Sequence, residues 1–129
     1  MKFSLQDFLN HIVLNDCRVK SITLDIVKFE FEIIFEDAFW IKNNSSDELD
    51  TLNNGFLKIK NYIAFEARYF SKDTRLWETL DYKNLDMIKE VNEKYYSNNI
   101  LTLSGFGKRT GEWIEYKIDG GDHQIEFGF

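Results

Sequence analysis

The sequence predicts an α+β domain built on an antiparallel sheet, and three features of its 129 residues carry that prediction. An amphipathic helix opens the chain, period-2 alternation dominates the residues after it, and glycine turns separate short strands in the last third. With no proline, no Gly/Ser linker and no repeat, the chain is expected to form one domain over residues 1–129. Apolar residues make up 43% of it and aromatic residues 16%, enough to fill a core with large rings without a metal or disulfide.

The first helix is expected over residues 4 to about 14. Ser4 is placed to cap it, Asp7 favours its N-terminal dipole, and Phe3 and Phe8 have the spacing of a hydrophobic staple. Leu5, Phe8, Leu9, Ile12 and Val13 then form one apolar stripe, which Asn15-Asp16 ends. Strand character begins again over 19–27, with Ile22, Leu24 and Ile26 on one face. Phe29, Phe31, Ile33 and Phe35 alternate with Glu30, Glu32, Ile34 and Glu36 in the same way. The two runs form either a hairpin turning near residues 26–28 or one bent strand.

Residues 43–55 read as a polar loop in which Ser46 is able to start a helical turn. Residues 56–70 form a long strand interrupted near Asn61 by a turn or bulge. A second helix is expected near 84–96, where Leu85, Ile88, Val91, Asn92 and Tyr95 fall at helical spacing behind Asn84 as cap. Strands at 100–106, 112–118 and 123–129, separated by Gly107–Gly111 and by Gly120-Gly121, then make a meander of two hairpins. In all, about five to seven strands are expected.

The net charge of −6 and the lack of any basic cluster beyond Lys108-Arg109 argue against nucleic acid as a partner. A lone Cys17 points to a reducing compartment, Asp7 interrupts any signal-peptide core, and no apolar run is long enough for a membrane span. A cytoplasmic protein with no membrane partner is the expectation. Gly105-Phe106-Gly107-Lys108-Arg109-Thr110-Gly111 superficially resembles a phosphate loop but fails its spacing, and it joins two strands where such a loop opens a helix. His11, His123 and Cys17 have no metal-ligand spacing, so neither metal nor cofactor is expected. A Cys17–His pair can form only through the fold; the plainer reading is a small buried hydrophobe. No catalytic residue is assigned.

Binding features are more prominent. Glu30, Glu32 and Glu36 alternate with an apolar face and, with Asp37 and then Asp47, Glu48 and Asp50, form a candidate acidic stripe for Lys and Arg of a partner. Read plainly, the same acids are a solvated sheet surface. Phe39-Trp40, Trp77, Tyr95-Tyr96 and Trp113 are more aromatics than alternation alone buries. Trp113 shares a face with Glu115 and Lys117, opposite Ile114, Tyr116 and Ile118; Trp40 and Trp113 are candidate anchors unless a second helix covers that face.

An opening helix, then Asn15-Asp16-Cys17-Arg18-Val19-Lys20-Ser21-Ile22, then Phe31-Glu32-Ile33-Ile34-Phe35-Glu36-Asp37, with Leu101-Thr102-Leu103-Ser104-Gly105-Phe106-Gly107 and Glu112-Trp113-Ile114-Glu115-Tyr116 later, form an order of segments. Over residues 4–118 this order resembles the small α+β immunity proteins encoded beside bacterial polymorphic or contact-dependent toxins. Asn15 departs from the His that precedes the Asp in some members. The resemblance implies a non-catalytic protein that neutralises a basic toxin domain by binding it. The alternatives are a small-molecule or carbohydrate-binding domain (or weak enzyme) with an aromatic-lined pocket, and a self-associating scaffold subunit.

Overall fold

The computed structural model describes residues 1–41 and 49–128, which hold eleven strands and one short α-helix. In chain order they are β1 (Lys2–Phe3), α1 (Leu5–Asn10), β2 (Ile12–Val13), β3 (Val19–Asp25), β4 (Glu30–Ile41), β5 (Leu49–Lys60), β6 (Ala64–Phe70) and β7 (Trp77–Thr79). A single 3-10 turn at Tyr82–Asn84 leads to β8 (Glu93–Ser97), β9 (Ile100–Phe106), β10 (Trp113–Asp119) and β11 (Asp122–Gly128). Every strand pairing among the described residues is antiparallel, as alternation predicts. The helical share is smaller than expected and the strands are more numerous.

The strands form two sheets. The first runs β1-β11-β5-β4-β2, with β3 also on β4, and the second runs β7-β6-β10-β9-β8. They face each other across a core of rings: Phe31 of β4 stacks on Phe65 of β6 at 5.6 Å and meets Tyr116 of β10 at 6.1 Å. Inward positions are Phe31, Ile33 and Phe35 on one side and Leu101, Leu103, Ile114, Tyr116 and Ile118 on the other, all buried. Rings of this size each remove on the order of 150–250 Å² from water, so this interface supplies most of the driving force for folding.

One corner joins the sheets. β5 pairs β11 up to Lys60↔Asp122, and β6 pairs β10 from Ala64↔Asp119, so a two-stranded ribbon bends from one sheet into the other. The bend needs left-handed backbone at Asn61 (φ 58°), Gly120 (φ 70°) and Gly121 (φ 89°), and Ile63 N–H donates to Asp119 O at 2.7 Å. The turn expected at Asn61 is thus real. The double glycine does not close a hairpin: β11 leaves β10 and crosses to the first sheet, while the meander that does form is β8-β9-β10. Turn chemistry signalled a reversal, but which sheet the chain re-entered depended on distant pairing.

Three other expectations are corrected. The helix at 84–96 does not form; Leu85–Val91 runs as an extended strap, with Ile88 bridging Gly107, and Glu93–Ser97 pairs with β9. Isolated helices of this length are marginal, and the β-branched and aromatic residues here gain more from a sheet edge. The first helix stops at Asn10, because Ile12 and Val13 pair with Trp40 and Phe39. Its cap is as expected: Ser4 Oγ accepts from Asp7 N–H at 3.1 Å and the Asp7 carboxylate accepts from Ser4 N–H at 3.4 Å. Finally, Leu49–Gly55 is strand where a loop was expected, while the helical turn expected at Ser46 lies outside the described residues. The Phe127 ring crosses the strand there, and a Cβ on Gly55 would sit 1.9 Å from it, so this glycine serves packing. Of the two options, the hairpin turning near residues 26–28 is the one realised, and its turn extends to Phe29 in left-handed conformation (φ 56°).

Candidate functional site

The outward face of the second sheet carries the most distinctive surface. On β10, Ile114, Tyr116 and Ile118 point into the core, so Trp113, Glu115 and Lys117 point out. Register places Phe106 and Phe70 on either side of Trp113, and Trp77 beyond Phe70. Four aromatic side chains therefore form one row across β9, β10, β6 and β7. Phe106 is 51% exposed, Trp77 40% and Phe70 38%, while Trp113 is half-buried.

The rings interlock edge to face: Phe106 on Trp113 at 5.0 Å and 76°, and Phe70 on Trp77 at 5.6 Å and 70°. Such pairs are electrostatically favourable, and they make the surface ridged. The next row inward is polar. Arg68 donates to Glu115 through Nε at 2.9 Å and pairs with it through Nη2 at 2.8 Å, while its guanidinium lies 4.2 Å from the Trp77 ring centroid. Arg68 is thus a fixed spacer between the apolar row and the charged sheet surface. No helix covers Trp113 among the described residues; neighbouring aromatics replace it.

The acids named from sequence fall on several surfaces. Glu30 and Glu32 are on the outer face of the first sheet, opposite Lys60 and Lys58, and Glu30 lies 3.9 Å from Lys58 Nζ. Beyond Phe35 the strand changes phase, since both Phe35 and Ala38 are buried, and the acids part company there. Glu36 stays outward in a cleft with Arg18, Lys20, Lys89 and Lys108. Asp37 lies beside the Cys17 thiol, and Asp50 is opposite Trp40. Asp47 and Glu48 lie outside the described residues. Trp40 packs on Phe3 at 5.1 Å and His11 at 5.3 Å, so it is tied into the end of the core.

The groups with catalytic potential are placed apart from the row. Cys17 is fully buried, and burial first and Asp37 second push its pKa up to about 12, which keeps it a thiol at neutral pH. His123 packs against Tyr96 at 6.1 Å, and burial lowers its pKa against the opposing pull of Asp122. Among the described residues no three potential ligands gather to hold a metal. Lys94 lines a groove of about 580 Å³ between α1 and β8. Its ammonium donates to Phe8 O at 2.6 Å and Leu9 O at 2.9 Å, the carbonyls of the last turn of α1, and burial lowers its pKa to about 8.

The glycine turn at 107–111 is filled from within. The Asp86 carboxylate, itself buried, accepts from Arg109 N–H at 3.0 Å, Thr110 N–H at 3.1 Å and Thr110 Oγ1 at 2.7 Å. A Cβ on Gly107 would lie 2.2 Å from that carboxylate. The Arg109 and Thr110 amides are taken by the chain's own anion, and those of Gly107, Lys108 and Gly111 by backbone carbonyls.

Comparison with protein-family models, curated proteins and solved structures gives no match. No helix among the described residues is long and apolar enough to cross a membrane. Trp77 and Trp113 stood out in the sequence; Phe70 and Phe106 did not. The signal existed, because Phe70 is in phase with outward Glu66 and Arg68, and Phe106 with Thr102.

Proposed function

We propose that this is a non-catalytic binding protein that docks a protein partner on the row Trp77-Phe70-Trp113-Phe106, and that the partner is a basic bacterial toxin domain neutralised in the complex. The observation that carries the reading is the row itself: four adjacent rings, three of them more than a third exposed, beside an ordered Arg68. Trp and Arg dominate binding hot spots, and interlocked rings present anchors at little entropic cost. A flat carbohydrate platform wants coplanar rings, and the 70° and 76° tilts oppose that use. The net charge of −6 favours a basic partner by steering its approach.

The test is co-expression with the product of the neighbouring gene, reading growth and complex formation. Protection and a stable complex are expected, with both lost in Phe106→Ser/Trp77→Ser. Absence of a complex, or a complex indifferent to that double variant, overturns the reading. A self-associating subunit would appear instead as a dimer by mass that the same variant dissociates. The small-molecule alternative has one observation of its own, the groove beside Lys94, where Asn92 Oδ1 is buried without a partner among the described residues. Ligand-induced shifts confined to residues 9–15 and 91–95 would support it.

A further inference from the structure

The cleft around Glu36 is separate in chemistry from the aromatic row. It encloses about 360 Å³ and is lined by Arg18, Val19, Lys20, Glu36, Lys89 and Lys108. Four cations and one carboxylate meet there, a local excess of three positive charges in a chain whose net charge is −6. The residues come from four separate segments, and the fold holds them together through the backbone. Glu36 N–H donates to Arg18 O at 3.0 Å, Val19 N–H to Lys89 O at 2.8 Å, Lys89 N–H to Phe106 O at 2.9 Å and Lys108 N–H to Met87 O at 2.7 Å. The bases are therefore anchored at their Cα atoms on a fixed frame.

Among the described residues, none of these four basic side chains makes a hydrogen bond or an ion pair. Some cations elsewhere do have partners: Arg68 has Glu115, Lys58 has Glu30 and Lys94 has two carbonyls; what sets the cleft's bases apart is that four of them converge on one concavity. With 22 acids against 16 bases in the chain, four unpaired bases around one cleft are a concentration of repulsion that an anion relieves.

We propose that this cleft binds a small multivalent anion through a diphosphoryl group. Each phosphate carries about 1.5–2 negative charges, so a terminal diphosphate brings roughly three, matching the local excess. Arg18 supplies a planar fork for bidentate contact, and the three lysines act as mobile point charges. The volume lies at the lower end of what small-ligand sites use, about 300–1,000 Å³. A nucleic-acid backbone needs an extended basic track, and Lys108-Arg109 is the only adjacent pair of bases in the sequence. Lys108, from the glycine turn, contributes by its side chain while Asp86 holds the Arg109 and Thr110 amides.

The experiment titrates the full chain with inorganic pyrophosphate, with inorganic phosphate and sulfate as comparison arms, and reads backbone amide shifts. Saturable shifts centred on residues 18–20, 36, 89 and 108 are expected, tightest for pyrophosphate and weaker at higher salt. Lys89→Gln/Lys108→Gln should weaken pyrophosphate at least tenfold, and Glu36→Gln should tighten it several-fold. Unfolding midpoints of both variants should stay near the parent, which separates lost binding from lost fold. The opposite response to Glu36→Gln is one a merely structural role would not produce. No saturable shift, equal binding of sulfate and pyrophosphate, or shifts unchanged in the double variant would overturn the assignment.

Discussion

The outer faces of the two sheets are made by the same pleat yet carry opposite chemistry. On the first sheet, register builds rows in which Asp25, Glu30, Lys60 and Asp122 lie side by side, followed by Thr23, Glu32, Lys58 and Gln124. Charges of both signs lie across the strands, with Lys60 and Lys58 set between acidic or polar neighbours, and water solvates them. On the second sheet the corresponding end row is Trp77, Phe70, Trp113 and Phe106. Alternation dictates which residues point outward in both cases. Function depends on what those residues are and which neighbours the register gives them.

The largest expected effect tests what the faces share. Phe31→Ala removes a ring that bridges both sheets and should cost about 3–5 kcal/mol, measured by denaturant unfolding. A loss under about 1 kcal/mol would mean the sheets do not depend on a common core. Next, Asp86→Ala strands the Arg109 and Thr110 amides and should cost about 3 kcal/mol, while also loosening the turn beside Phe106. Near-neutral behaviour would show that this turn is organised by other contacts.

Substitutions on the two outer faces sharpen the contrast. Phe106→Ser should lower stability by no more than about 1 kcal/mol, because half of the ring is in water, yet it should abolish partner binding. Glu30→Gln should change stability by under about 0.5 kcal/mol and leave binding intact, since its 3.9 Å pair with Lys58 is at the surface. If Glu30→Gln weakens the complex and Phe106→Ser does not, the roles of the two faces are reversed.

A pH effect separates the groove from both faces. Burial lowers the Lys94 pKa from 10.5 to about 8. In the unfolded chain this lysine keeps its proton up to about 10.5, whereas the native state gives it up from about 8, so the native state binds fewer protons in that window. Stability relative to Lys94→Met should therefore rise between pH 8 and pH 10. A pH-independent difference in unfolding free energy between parent and variant would refute the assignment.

Much of the architecture is legible in the residues. The capped start of α1, the alternation of β4, and the strands β9 and β10 around their glycine turn all follow from local pattern. The stretch 84–96 was misleading because its i, i+3 apolar spacing suits an extended strap as well as a helix, with Ile88 and Val91 buried and Tyr95 exposed. Asn53-Asn54-Gly55 reads as the end of a polar loop because nothing nearby in sequence announces the Phe127 ring. Of the candidate site, the two tryptophans were visible, and their joining to Phe70 and Phe106 was not.

Sequence alone determined that this chain would be a ring-filled antiparallel sheet protein, because alternation and turn residues act over a few positions and need no distant partner. Tertiary structure alone decided that β11 would cross to the other sheet, that four scattered aromatics would become one row, and that four scattered bases would line one cleft. Each of these depends on strand register, which brings together residues tens of positions apart. Register is set by the packing of the whole core, and no local window of the chain contains that information.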